Sequence, residues 1–192
     1  MKNTRKWKMI WLILAISFLP LIGALYLMFK PQNLSSNKKQ MTNFVIKPLD
    51  FKNWWFIPAN FTCDGANQFP RFEIETLPEN TQTFVIRVED PDAPMVRPFV
   101  HLLAVNVPAV KIIDENILAK ATLGMNDFMQ IGWGWPCPPE WHWVHHYQFK
   151  FFALNTGLDL KTGFNLQQFA KALTENEENI IWRAEIIGLY SK

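Results

Sequence analysis

Four apolar runs, each bracketed by turn-forming residues, constrain the fold of this chain most. Residues 83–89 (TFVIRVE), 100–107 (VHLLAVNV), 147–154 (YQFKFFAL) and 180–189 (IIWRAEIIGL) are rich in β-branched and aromatic side chains. Such side chains suit a pleated, half-buried surface, so each run reads as a strand. Pro, Gly, Asn and Asp cluster between the runs and punctuate them. One helix is legible. Asn165 can cap it, Leu166, Phe169, Ala170 and Leu173 form an apolar stripe, and Glu175-Asn176 end it. Sixteen Phe and nine Trp supply ample apolar area for a core. The expected fold is mainly β: a stack of mostly antiparallel sheets with one C-terminal helix.

The N-terminus is different. Residues 9–29 form a 21-residue run without charge, MIWLILAISFLPLIGALYLMF. At 1.5 Å rise per residue, about 20 apolar residues cross a hydrocarbon layer of roughly 30 Å. Lys2, Arg5, Lys6 and Lys8 precede it, which keeps the N-terminus cytoplasmic and sends the rest outward. A cleaved signal peptide is the rival reading, but its apolar region is shorter and ends in small residues. Here Tyr26, Leu27, Met28 and Phe29 are bulky at that place. The organisation expected is a basic cytoplasmic lead at 1–8, a transmembrane anchor at 9–29, a polar linker at 30–48 and one domain at 49–192. Residues 1–39 hold seven of the nineteen bases and none of the seventeen acids, so the remainder carries a net charge of about −5. A mildly acidic body is a poor match for a phosphate backbone, and no nucleic-acid partner is expected.

Three ordered segments carry a resemblance. Asp90-Pro91-Asp92-Ala93-Pro94 follows a strand directly. Phe99-Val100-His101 leads into the next. Gly124-x-Asn126-Asp127-Phe128 precedes Gly132-Trp133-Gly134-Trp135-Pro136-Cys137-Pro138-Pro139, and His145-His146-Tyr147 opens another strand. With Thr62-Cys63-Asp64-Gly65 upstream and Ala184-Glu185-Ile186-Ile187-Gly188-Leu189-Tyr190 at the end, residues 50–191 resemble the phosphatidylethanolamine-binding protein family, in its bacterial Raf kinase inhibitor-like branch. The resemblance implies a β-sandwich-like fold with a small pocket at one end for phosphate-like anions or phospholipid head groups. It assigns that pocket to Asp90, Asp92, His101, Gly134, Pro136, His145 and Tyr147. It departs at Trp135, where the family has Gly, at the Glu140-Trp141-His142-Trp143-Val144 stretch, and at Phe69-Pro70-Arg71-Phe72. All three changes add bulk that is expected near the pocket.

The chemistry these residues offer is anion binding. His101 and His145 can each point a ring N–H at a phosphate oxygen while Asp90 or Asp92 holds the opposite nitrogen and favours the charged ring. Gly132-Trp133-Gly134 can bring backbone N–H groups near an oxyanion. Spacing alone favours a turn with Asx bonds at Asp90-Pro91-Asp92 and a satisfied core histidine at His101, and only the resemblance turns both toward the pocket. His142, His145, His146 and Cys137 lie too close along the chain to converge on a metal, so no metal or other cofactor is expected, and His142 reads as a surface loop residue. Cys63 and Cys137 can pair in an oxidising compartment or remain two buried thiols; both readings stand. Trp54-Trp55-Phe56 and Trp133, Trp135, Trp141 and Trp143 read as core packing and pocket wall, the sharper alternative being a membrane-interface belt.

The expected function is therefore a single-pass inner-membrane protein of a bacterium, whose outward-facing domain binds a small anionic ligand. A protein-interaction or inhibitor role is the alternative, and a His/Asp hydrolase is a weaker one. Without a Gly-x-Ser-x-Gly motif or an activated Cys, no enzyme is expected.

Overall fold

The computed structural model describes residues 45–192. The apolar run at 9–29 and nearly all of the linker lie outside the described residues. Among those described, no helix is long and apolar enough to cross a membrane. The elements in order are β1 (Ile46–Pro48), β2 (Trp55–Phe56), β3 (Phe72–Ile74), β4 (Thr83–Asp90), β5 (Phe99–Pro108), β6 (Ile112–Ile113), α1 (Glu115–Leu118), β7 (Thr122–Leu123), β8 (His145–Leu154), α2 (Leu166–Glu175) and β9 (Ile180–Tyr190). Ile46–Pro48, at the end of the expected linker, already belongs to a sheet.

Two sheets form. The larger runs β2-β9-β8-β4-β5-β7 and the smaller runs β1-β3-β6. Every pairing is antiparallel except the short parallel contact of β2 with β9. The four runs read as strands are the long central ones, β4, β5, β8 and β9. The burial pattern of β8 alternates as a half-buried strand should, with Tyr147, Phe149, Phe151 and Ala153 inside. β4 has neighbours on both edges and is buried on both faces. Phe84, Ile86 and Val88 enter one core, and Val85 enters the other.

The first core lies between the two sheets. Ile46, Phe72, Ile74 and Ile113 from the small sheet meet Phe84, Leu102, Phe149 and Ile186 from the large one. Phe72 sits at its centre, with ring centroids 4.9 Å from Phe151 and 5.3 Å from Phe149. The second core lies under α2, where Phe169 packs with Val85, Leu103, Val105 and Phe164. The side chain of Asn165 accepts a bond from the Gln168 amide, and the Gln168 side-chain oxygen accepts one from the Asn165 amide, which closes both ends of a capping box. Ala170, assigned to the apolar stripe from spacing, is exposed, and Ala172 packs instead.

Phe69-Pro70-Arg71-Phe72 does not line the pocket formed by Asp90, His101, His145 and Tyr147. Phe69 and Phe72 are core residues, and Arg71 is held by Asp50, 2.6 Å away. Cys63 and Cys137 form a disulfide, with Cα atoms 5.4 Å apart. The expectation left open by the sequence is thus settled in favour of the bridge.

Candidate functional site

Antiparallel pairing explains where the chemistry collects. β4 ends where β5 and β8 begin, because Asp90 stands opposite Phe99 and Glu89 opposite Gln148. Asp90, His101, His145 and Tyr147, spread over nearly sixty residues of chain, therefore meet at one end of the central sheet. They line a cavity of about 240 Å³ together with Ala93, Pro94, Met95, Phe99, Phe128, Cys137, Pro138 and Pro139. The lining thus combines a few polar groups with prolines, aromatics and Met95.

Each polar group has a defined state. His101 is buried, and its Nδ1 lies 2.9 Å from the Gly134 carbonyl oxygen, so Nδ1 carries the proton and donates. Burial pushes the ring's pKa down to about 4, against weaker opposition from the Gly134 carbonyl and the Asp127 charge. His101 is then neutral at pH 7 with Nε2 as a bare acceptor, and Nε2 has no partner. The charged, donating His101 expected from sequence is corrected on this point: the ring is too deeply buried to ionise unaided.

The Tyr147 hydroxyl is likewise buried without a hydrogen-bond partner. Burial pushes its phenol far up, and the nearby Asp90 charge adds to that. The Cys137 amide faces the oxygen and partly offsets the shift, without reaching hydrogen-bond geometry.

Asp90 Oδ2 accepts from His145 Nδ1 at 2.6 Å, and Asp90 Oδ1 accepts from the Asp92 amide at 2.9 Å. Burial raises the Asp90 carboxyl while the His145 bond works against it. The Asx turn and the cavity position are therefore the same feature, not competing ones. The other nitrogen of His145 lies 2.5 Å from His142 Nδ1. His142 is thus no free surface residue: it extends an Asp90–His145–His142 chain outward.

Three residues assigned to the pocket by resemblance do not line the cavity. Asp92 accepts from the His146 amide at 2.8 Å and from His146 Nδ1 at 2.7 Å, which fastens the β4–β5 turn to β8. The strand period sends His146 to the face opposite His145, and Asp92 follows it. Gly134 spends its N–H on the His101 carbonyl and its C=O on the His101 ring. Gly132 spends its N–H on Gly124. The expected backbone nest is therefore not available to an anion. Gly134 is needed for space, since a Cβ there would come within 2.5 Å of the Phe128 ring. The Pro136 carbonyl accepts from the Cys63 amide and ties down the strap that carries Cys137.

Sequence reasoning gave the wall to tryptophans and missed Phe128. Phe128 enters the cavity because Asn126 builds its loop. The Asn126 side chain accepts from the Phe128 and Gln130 amides and donates to the Gly132 carbonyl. Asp127 takes the Val100 amide and a two-pronged contact from Arg97, which together hold its carboxyl low despite burial. Trp135, whose bulk was expected near the pocket, is not among the lining residues. It stacks on Phe128, a lining residue, with centroids 5.4 Å apart. A larger polar groove of about 400 Å³ lies elsewhere, where Arg71 pairs with Asp50 and Asp114 caps α1.

Comparison with known proteins agrees with this architecture. The family model described as phosphatidylethanolamine-binding protein matches residues 48–191. The UPF0098 protein PH1269 of Pyrococcus horikoshii is 43% identical over 150 residues, 74% of each chain. The UPF0098 protein YbcL of Escherichia coli is 35% identical over 126 residues, covering 61% of this chain and 69% of its own. Among solved structures, the phosphatidylethanolamine-binding protein homologue CT736 of Chlamydia trachomatis superposes with a TM-score of 0.69 at 30% identity, over 77% of this chain and 96% of that one. E. coli YbcL gives 0.68 at 30% identity, over 78% and 98%. On the match to its family model and to these relatives, the chain belongs to the phosphatidylethanolamine-binding protein family.

Proposed function

We propose that this protein is a membrane-tethered binding module whose outward-facing domain holds a small anionic ligand, a phosphate group either free or on a lipid head, in the cavity at the end of β4, β5 and β8. One observation carries the reading. Two buried polar atoms without partners, His101 Nε2 and Tyr147 Oη, belong to residues that line the same cavity. Leaving such atoms unpaired costs on the order of 1–3 kcal/mol each, a penalty that a fitting ligand recovers. Tyr147 can donate to a phosphate oxygen. His101 Nε2 can accept from a P–OH group, or take up a proton and donate. Either way one proton accompanies the anion.

The lining favours binding over catalysis. It contains no Ser or Thr, and the Cys137 sulfur is committed to the disulfide. In calorimetry with inorganic phosphate, the variant His101→Ala/Tyr147→Phe should bind at least about tenfold more weakly than the parent, the worth of one lost charge-assisted bond. Equal binding by a variant with an unaltered melting temperature refutes the site.

The tether and outward topology rest on the uncharged run at 9–29 and its basic lead. The Cys63–Cys137 bridge supports them, because structural disulfides persist chiefly in oxidising compartments. A reporter that fluoresces only in the cytoplasm, fused after Lys192, should stay dark. A bright signal at ordinary expression excludes this topology.

A further inference from the structure

We propose that the exposed aromatic rim at the cavity end of the central sheet, led by Trp54, Trp55, Trp141 and Trp143, docks the domain on the surface of a zwitterionic phospholipid bilayer. The inference deepens the binding-module reading by naming the surface that presents the phosphate, and it can fail separately from it.

The sequence expectation placed these tryptophans in the core or the pocket wall. The structure puts them in water. Trp54 is 60% exposed, Trp55 63%, Trp141 79% and Trp143 69%. Only Trp133 and Trp135 of the second cluster are half-buried, against Phe69 and Phe128 respectively. Met95, Val96 and Met129 are exposed as well. Large apolar side chains exposed singly need no explanation, but a group of them does.

Met95, Val96, Met129, Trp141 and Trp143 stand beside the cavity, while Trp54 and Trp55 lie at the same end of the sheet, where Trp55 pairs with Gly188 and Gly188 with the lining residue Tyr147. Met95 lines the cavity, Val96 follows, and Met129 follows the lining residue Phe128. Trp141 and Trp143 hold His142 between them, with centroids 5.2 and 4.1 Å from its ring, and His142 bonds the lining residue His145. Trp54 packs at 5.9 Å on His146, which Asp92 fixes to the turn that carries Ala93 and Pro94.

Backbone strain marks two of the same residues. Five non-glycine residues among those described have positive φ. Three are Asn, which tolerates that region; the other two are Trp54 at 61° and Met129 at 60°. The Trp54 amide is clamped to the Ile187 carbonyl at 2.8 Å, and the Asn53 side chain accepts from the Ile187 amide at 2.8 Å. The chain thus holds an unfavourable conformation in order to direct a tryptophan outward. Strain of this kind persists where it serves a purpose.

The occupant follows from the rest of the chain. The uncharged run at 9–29 needs an apolar phase, and 15 residues separate it from Val45. Fifteen residues span at most about 50 Å even when fully extended, so an anchor at 9–29 would hold the domain near the bilayer. Trp is favoured at the level of the head groups. The charge selects the lipid: residues 40–192 carry about −5, Glu140 adjoins Trp141, and Arg97 is occupied by Asp127. An anionic surface would repel this body, whereas a zwitterionic one does not.

The solved relatives consist almost wholly of the matched domain, so residues 42–192 can be studied without the apolar run. This domain should co-sediment with vesicles of pure phosphatidylcholine. The variant Trp54→Asn/Trp55→Ser/Trp141→Ser should partition at least about tenfold more weakly while keeping its melting temperature and its affinity for inorganic phosphate. Phosphatidylcholine brominated on its acyl chains should quench the tryptophan emission of the unsubstituted domain, a readout that needs no variant. The cavity variant His101→Ala/Tyr147→Phe should still co-sediment, so that loss of phosphate binding and loss of docking are told apart. Absence of sedimentation and quenching overturns the proposal, as does binding that requires anionic lipid or equal binding by the triple variant. A dimer in ultracentrifugation that the triple variant dissolves, without vesicle binding, assigns the rim to a second copy of the chain instead.

Discussion

Replacing both cysteines, Cys63→Ser with Cys137→Ser, should lower the free energy of unfolding by about 4 kcal/mol, the loop-closure value for a bridge of this span. The two residues are 74 apart in sequence, so the unfolded chain gains much freedom when the bridge is absent. The folded state has less to lose, because the Cys63 amide still reaches the Pro136 carbonyl. Urea unfolding of the oxidised domain, the reduced domain and the double variant measures the effect. Reduction and substitution should agree, and a loss under about 1 kcal/mol would show that the unbridged chain is already constrained. The bridge also bears on the site, since Cys137 is part of the cavity wall. Loosening that strap should weaken anion binding in addition to stability.

Sulfate should bind more tightly as pH falls from 7.5 toward 5, by as much as tenfold per unit if a single proton is linked to binding. Sulfate keeps its charge throughout that range, so any change belongs to the protein. His101 supplies the proton site. Free, its pKa is pulled down to about 4 by burial, and the ring is neutral over the whole interval. An anion against Nε2 favours the charged ring and raises that value, so binding takes up a proton. The gain should level off below about pH 4, where the free ring is already charged.

Stability moves the opposite way in the absence of ligand. The folded value is depressed, so between about 6.5 and about 4 the unfolded chain holds a proton that the folded one does not. Folding stability is therefore fully present above about 6.5 and declines as pH drops through that window. Sulfate should raise the melting temperature more at pH 5 than at pH 7.5. A shift that is independent of pH, or that survives His101→Ala, would remove His101 from the site. The surrounding charges are Asp127, which favours the proton, and His145, which opposes it.

The resemblance read from ordered motifs and the match of the family model point to the same domain, but they concern different residues in detail. Asp90, His101, His145 and Tyr147 line the cavity. Asp92, Gly134 and Pro136 stand behind it, fastening the turn, the imidazole and the disulfide strap. A motif records that residues occur in a given order. It does not separate those that touch a ligand from those that hold the ones that do.

The sequence by itself determined the long elements. The apolar runs of β4, β5, β8 and β9, and the Asn165 cap with its Leu166, Phe169 and Leu173 stripe, are local signals that the backbone can follow without distant help. Strands of two or three residues, such as β2, β6 and β7, left no periodicity to read; they exist because a neighbouring edge offers hydrogen bonds. The tertiary structure alone decided what depends on distances across the chain. It brought Cys63 to Cys137, made His142 a partner of His145 and stacked Trp135 on Phe128. It also left Trp54 and Trp141 in solvent, where composition alone suggested a core. The state of His101 was decided in the same way. Its neutrality comes from burial among β4, β5 and β8, and burial is a property of the assembled sheet rather than of any stretch of sequence.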